Sequence, residues 1–237
     1  MDYDLVDQRR TGAIVGVLFI IATTFLFLGE VFYRPILDSP DFLELVSENR
    51  SVVIFGLLIE FICIFSMPLI GAFIFPVLAR VSTGMALTYF FLRGAEGIIL
   101  STVALTNKFA LVSLSDAVQA GADPVVAESA RALIMAQNAW GNTDGLLYNI
   151  IFAMGALCLY GVLYRARLVP RWIAVWGILA ILVLLALVLT AMFVDVPSGV
   201  QVLLVPIGVQ EMVMALWFIF RGFDFGALEA GNGGRGS

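Results

Sequence analysis

Four ionisable side chains stand where hydrocarbon should be. Glu60, Arg93, Glu96 and Glu211 each fall within an apolar stretch long enough to cross a bilayer. An ionisable group at that depth costs at least about 2.5–3.5 kcal/mol, so such residues are as a rule partnered, inward-facing and functional. Carboxyl groups there can exchange a proton or a cation, and a guanidinium among them can serve as internal counter-ion or as anchor for an anionic group. Arg93 and Glu96 are three residues apart and share a helix face, with Gly94 and Gly97 beside them allowing neighbouring helices to approach.

One guanidinium cannot neutralise three carboxylates. With all four groups ionised the set carries one positive and three negative charges, which a low dielectric does not tolerate unaided. Protonated carboxyls, a bound cation or cationic ligand, or access of water would each relieve it. At 1.5 Å of rise per residue, Glu60 lies roughly 13 Å below one membrane surface and Glu211 about 17 Å below it. Arg93 and Glu96 lie about 13 and 18 Å from the opposite surface, so the four are expected in one layer, with Arg93 in salt-bridge reach of a glutamate. Glu30, Asn142, Asp144 and Asn149 are candidates for a polar vestibule above that layer, and Gln210 adds an amide beside Glu211. Two readings stay open: a structural clasp in which Arg93 joins three spans, and a ligand or ion site built on the same clasp.

Composition restricts the chemistry further. Among 237 residues, 61% are hydrophobic and 13% charged, with mean hydropathy +1.02, against about a quarter charged in a soluble domain. The net charge of −5 and the lack of a basic cluster exclude a nucleic-acid partner. Histidine is absent, which removes imidazole acid–base chemistry and most transition-metal sites. No metal, cofactor or catalytic residue is assigned. Lys108 is the only lysine, a poor candidate for a Schiff base at the edge of an apolar run. Cys63 and Cys158 lie within apolar runs and read as reduced, packed thiols.

The elements that must position these residues are six apolar segments near 12–33, 51–78, 84–107, 141–164, 172–194 and 199–221, each near the roughly 20 residues a spanning helix needs. Arg9, Arg10, Arg80, Arg165, Arg167, Arg171 and Arg221 fall on one side of these spans, and Arg34, Arg50, Lys108 and Arg131 on the other. The positive-inside bias puts both termini in the cytoplasm. The first external connection offers Ser39 as N-cap and Pro40 as first helical residue, with Phe42, Leu45 and Val46 forming the apolar face of a short helix lying on the membrane. The second, from Lys108 to about Ala139, reads as two amphipathic helices broken at Gly121, with Asp123 and Pro124 opening the second. Pro68, Pro76 and Pro206 are expected to kink their spans. The organisation is a cytoplasmic N-terminus over 1–11, a six-span region over 12–223 and a flexible tail over 224–237. Inverted halves have thin support, since only the third and sixth spans share a central acid.

The stretches RTGAIVGVLFIIAT, PILDSPDFL, GLLIEF, FFLRGAEG, YGVLYRARLVPRWIAVWGILA and VQEMVMALWFIFRGF, in this order over residues 9–223, resemble the DUF4386 family. That group comprises small multi-span membrane proteins of bacteria and archaea without an assigned function. The resemblance implies the topology and that the buried acids and Arg93 are part of a family pattern. It transfers no substrate and no catalytic residues.

The sequence therefore predicts an all-α, six-helix polytopic membrane bundle in the cytoplasmic membrane, with short external amphipathic helices. Its leading functional expectation is a small transporter or ligand-binding membrane protein whose polar core meets a small molecule, a proton or a cation. The alternative is a non-catalytic accessory or assembly subunit, in contact with a membrane-protein partner or a second copy through the smooth fifth span. An intramembrane enzyme is the weakest reading, because no nucleophile or metal-ligand pattern supports it.

Overall fold

The computed structural model describes residues 5–141, 145–194 and 202–226. It is all-helical, without a strand among the described residues. In chain order the helices are α1 (Leu5–Leu37), α2 (Phe42–Ala79), α3 (Thr83–Ile99), a π-helical segment (Leu100–Leu105), α4 (Thr106–Gln119), α5 (Pro124–Gly141), α6 (Leu146–Ala166), α7 (Arg171–Ala191) and α8 (Val205–Phe220). Six stretches are long and apolar enough to cross a membrane: Gln8–Leu37, Phe42–Ala79, Thr83–Gln119, Leu146–Ala166, Arg171–Ala191 and Val202–Phe220. Such a chain is an integral, multi-pass membrane protein by every compositional measure.

Three local features differ from the sequence expectation, each for an identifiable reason. The short helix after Ser39 is continuous with the second span, through a kink at Asn49 (φ −116°, ψ 24°) where the side-chain amide donates to the Leu45 carbonyl at 3.0 Å. Its start is as expected, since the Ser39 hydroxyl accepts from the Asp41 N–H at 3.2 Å. Phe42 and Val46, however, are buried within the protein, Phe42 under the Arg131 guanidinium at 4.7 Å, and do not form a face for lipid. Second, Pro206 opens α8, where its missing N–H is one that the first turn leaves unpaired in any case; Pro68 and Pro76 lie inside α2. Third, the third span does not stop at residue 107. It passes through the π segment into α4, so that Thr83–Gln119 is one long stretch.

The turn between α4 and α5 forms as the residues require. Gly121 takes φ +99°, which an L side chain rarely adopts, and Asp123 Oδ1 accepts from the Val125 N–H at 2.8 Å ahead of Pro124.

The chain divides into two compact units. The first comprises Met1–Ile20, Met67–Ala95 and Asn149–Ser237. In it α1 meets α8 through Gly12 and Gly16, whose absent Cβ atoms leave room for the carbonyls of Phe218 and Ala215, a small-xxx-small contact. Tyr160 on α6 lies flat against Gly177 on α7, and its hydroxyl donates to Gln210 Oε1 at 2.7 Å. Gln210 Nε2 in turn donates to the Ile173 carbonyl at 3.1 Å, so one buried amide ties α6, α7 and α8.

The second unit comprises Ile21–Ser66 and Glu96–Tyr148. Its α1 and α2 segments approach through Gly29 and Gly56, where an added Cβ on Gly29 would stand 2.8 Å from the Gly56 carbonyl oxygen. Arg50 and Asp116 form a two-armed pair at 3.2 Å between α2 and α4, and the Ser115 hydroxyl donates to the Leu43 carbonyl at 2.6 Å. Arg131 donates to the Ser39 carbonyl at 3.2 Å and thereby holds α5 to the α1–α2 connection.

Gly29→Ala should lower stability by about 1–3 kcal/mol, the cost of forcing extra volume between packed backbones. Gly94→Ala, with nothing within 4 Å of the new Cβ, should be neutral or stabilising by up to about 1 kcal/mol. Thermal unfolding of the two variants in the same detergent checks the contrast, and equal losses would contradict the packing described.

Candidate functional site

The chemistry concentrates in the second unit around Lys108. Its ammonium donates to both oxygens of Glu60, at 2.7 and 2.8 Å, and to the Tyr33 hydroxyl at 2.8 Å. It also lies 4.5 Å from the centre of the Tyr33 ring. The Lys108 and Glu60 side chains are 5% and 0% exposed. All three ammonium protons have an acceptor, which a buried cation requires. Removing either partner would strand a charge, and such a loss costs about 3–5 kcal/mol in a folded protein.

The local sequence explains how a lysine reaches this position. Buried Lys108, Leu111, Val112 and Ser115 recur on α4 at helical spacing, so Lys108 belongs to the inward face. The π segment sets where that face points. A π turn closes N–H to C=O bonds over five residues, one more than an α turn, and so rotates everything after it by about a residue, roughly 100°. Hydroxyls supply the additional bonding: Ser101 and Thr102 donate to the Ile98 carbonyl at 3.0 and 2.6 Å, and Thr106 to the Ser101 carbonyl at 2.8 Å. Serine and threonine on a helix compete with the main-chain ladder in this way. Gly141 of α5 packs directly against Val103 in the segment.

Above the pair the second unit contains a cavity of about 210 Å³. Its wall includes Glu30, Tyr33 and Arg34 from α1, Asp38 just beyond its end, Lys108 from α4 and Asn138 from α5. Glu30, Arg34 and Asp38 are spaced four residues apart through the end of α1, with Arg34 joined to Glu30 at 3.2 Å and to Asp38 at 3.3 Å. Glu30 is largely enclosed, its side chain 15% exposed, whereas Arg34 and Asp38 are half exposed. The buried Asn138 Oδ1 has no hydrogen-bond partner among the described residues.

The residues singled out from sequence are distributed as follows. Glu60 and Glu96 belong to the second unit, both fully buried. Arg93 and Glu211 belong to the first. Arg93 is buried with its guanidinium 5.7 Å from the Phe19 ring centre, while Glu211 is half-buried. Both lie within electrostatic reach of the Tyr160 hydroxyl. Glu30 lines the cavity, Asn149 is buried in the first unit, and Gln210 is committed to the Tyr160–Ile173 link. Asn142 and Asp144 lie outside the described residues.

Lys108, expected at the edge of an external loop, is the residue the sequence reading missed. Its partnership changes the charge balance. Among the described residues the buried charged side chains are Glu60, Glu96, Arg93 and Lys108, two of each sign, where the sequence reading had a single cation. The available signal was the spacing of Lys108 with Leu111, Val112 and Ser115, which continues an apolar face beyond the end of the predicted third span.

Lys108→Met and Glu60→Met should each destabilise by about 3–5 kcal/mol, whereas the double variant should recover most of that loss, because two apolar side chains leave no charge unpaired. Unfolding measured over the full cycle in detergent checks this, and additive losses would show that the two side chains do not meet.

The chain matches the domain of unknown function DUF4386 over residues 14–222. No curated protein and no solved structure matches it. With the match covering most of its length and reaching all six apolar spans, this chain is a member of the DUF4386 family of multi-span membrane proteins.

Proposed function

We propose that this protein is a small-solute transporter, or ligand-binding protein, of the cytoplasmic membrane. Both termini lie in the cytoplasm in this reading, on the argument from arginine placement, which turns the cavity of the second unit to the outside. The observation that carries the proposal is the contiguity of that cavity with a buried ion pair: Tyr33 and Lys108 line the one and form the other. A pair that served only to join helices has no need of an adjoining cavity.

The chemistry follows from the pair's own hydrogen bonds. Both Glu60 oxygens are held by Lys108, where a single oxygen would satisfy one N–H. An acceptor group on an entering solute can take over one of those protons, leaving a Glu60 oxygen to bind a proton or a cation. Solute arrival and proton uptake are thereby linked through one ammonium group, the coupling a symporter needs. Arg93, Glu96 and Glu211 are the further intramembrane charges on which onward proton or cation movement would depend.

Reconstitution into proteoliposomes with an internal pH reporter tests this reading. A panel of small polar solutes should include one whose addition moves protons with wild type, with a loss of at least about tenfold in Glu60→Gln and in Glu96→Gln. Wild type indistinguishable from both variants across the panel would contradict transport. A stoichiometric membrane-protein partner retained in mild detergent, together with no flux, would favour the accessory-subunit reading instead.

A further inference from the structure

The same cavity indicates what class of solute it takes. We propose that it binds a small zwitterion carrying an ammonium and a carboxylate a few bonds apart; this rests on reading the cavity as a ligand site.

Size comes first. A cavity of about 150 Å³ holds benzene, so 210 Å³ admits a ligand only slightly larger, of the order of six to nine non-hydrogen atoms. Sign comes second. The charged wall residues are Glu30 and Asp38 against Arg34 and Lys108, two of each sign, so the wall offers a partner to a charge of either sign. A simple anion drawn to Lys108 would stand beside Glu60, which is fully buried and already paired there. A simple cation would stand beside the Lys108 ammonium, whose three protons all have acceptors. Each single charge would therefore meet its own sign beside a buried pair. A molecule carrying both charges meets the same neighbours but can set each pole against a wall charge of opposite sign, its carboxylate toward Lys108 and its ammonium toward Glu30.

The individual polar atoms point the same way. The enclosed Glu30 carboxylate and the buried Asn138 oxygen are acceptors, and the latter lacks a donor among the described residues. An ammonium group supplies several N–H donors to such a pair. At the other pole, Lys108 can exchange one Glu60 oxygen for a ligand carboxylate oxygen of equal charge, which keeps its three protons satisfied. Met135, Leu37 and Leu111 complete the wall with apolar surface for a short carbon chain. Arg34 and Asp38, half exposed and already paired through Arg34, provide charge of both signs at the better-solvated part of the wall.

The test is equilibrium binding to the purified full-length chain in lipid nanodiscs. The probes are alanine and β-alanine, with propionate and propylamine as analogues lacking one pole. At least one zwitterion should bind more than about tenfold tighter than either single-charge analogue, since a site built for two polar groups rejects a ligand missing one. Asn138→Ala should weaken that zwitterion by about tenfold without lowering the thermal midpoint, because the asparagine oxygen has no protein partner to lose. Propionate or propylamine binding as tightly as both zwitterions would overturn the assigned class while leaving the cavity as a ligand site. So would an Asn138→Ala variant of unchanged affinity. Binding of none of the four would overturn the class and the cavity reading together.

Discussion

The contact on which the second unit depends is the ion pair between Lys108 and Glu60, closed at 2.7 Å with neither side chain appreciably exposed. Two unit charges of opposite sign at that separation attract strongly in a poorly polarisable medium, yet each forfeits its hydration to be there. The pair is tolerable only because the remaining ammonium proton finds Tyr33 and because the first, second and third spans are each shaped to deliver one member. Gly29 and Gly56 bring α1 and α2 together near Tyr33 and Glu60. The π segment turns the inward face of α4 toward them. Arg50 with Asp116, and Ser115 with the Leu43 carbonyl, fix α4 against the beginning of α2.

The two units are held internally by different kinds of contact. The first is closed by an amide link, Tyr160 to Gln210 to the Ile173 carbonyl, in which both ends of the amide are used and no charge is required. The second is held by charges and bears the cavity. Hydrogen bonds between neutral groups suit a permanent joint. A charged pair beside a cavity is, in the function proposed above, the contact that an arriving solute or a proton would re-partner.

Much of this was legible in the sequence. Apolar run lengths gave the six spans, and Gly121 followed by Asp123 and Pro124 located the turn between the two amphipathic helices, because left-handed backbone and N-capping leave strong residue signatures. Glu60 was identified as a buried acid from its apolar surroundings. Its partner was not. Lys108 lies where hydropathy falls, and hydropathy averages over a helix while burial depends on one face of it. The π segment was equally invisible, since serine and threonine near a span end are compatible with an ordinary α-helix. Set against Glu60, Glu96 and Glu211, Arg93 alone leaves two negative charges in excess; Lys108 removes one of these by lying inside, and Glu211 removes the other by being only half-buried. Pro206 illustrates the reverse error, where a residue expected to bend a span instead begins one.

Because the chain has a single lysine, one measurement reports on the buried pair directly. The intact protein in nanodiscs is treated with a water-soluble amine acylating reagent, and modification at Lys108 is read by mass spectrometry, with denatured protein as the reactive reference. A lysine ammonium that is buried, charged and triply hydrogen-bonded should be acylated at least about a hundredfold more slowly than the same residue in the denatured chain. Acylation of Lys108 in the folded protein at the rate of the denatured chain would contradict the account, because it would place the ammonium in water and leave Glu60 without the partner on which the site is built.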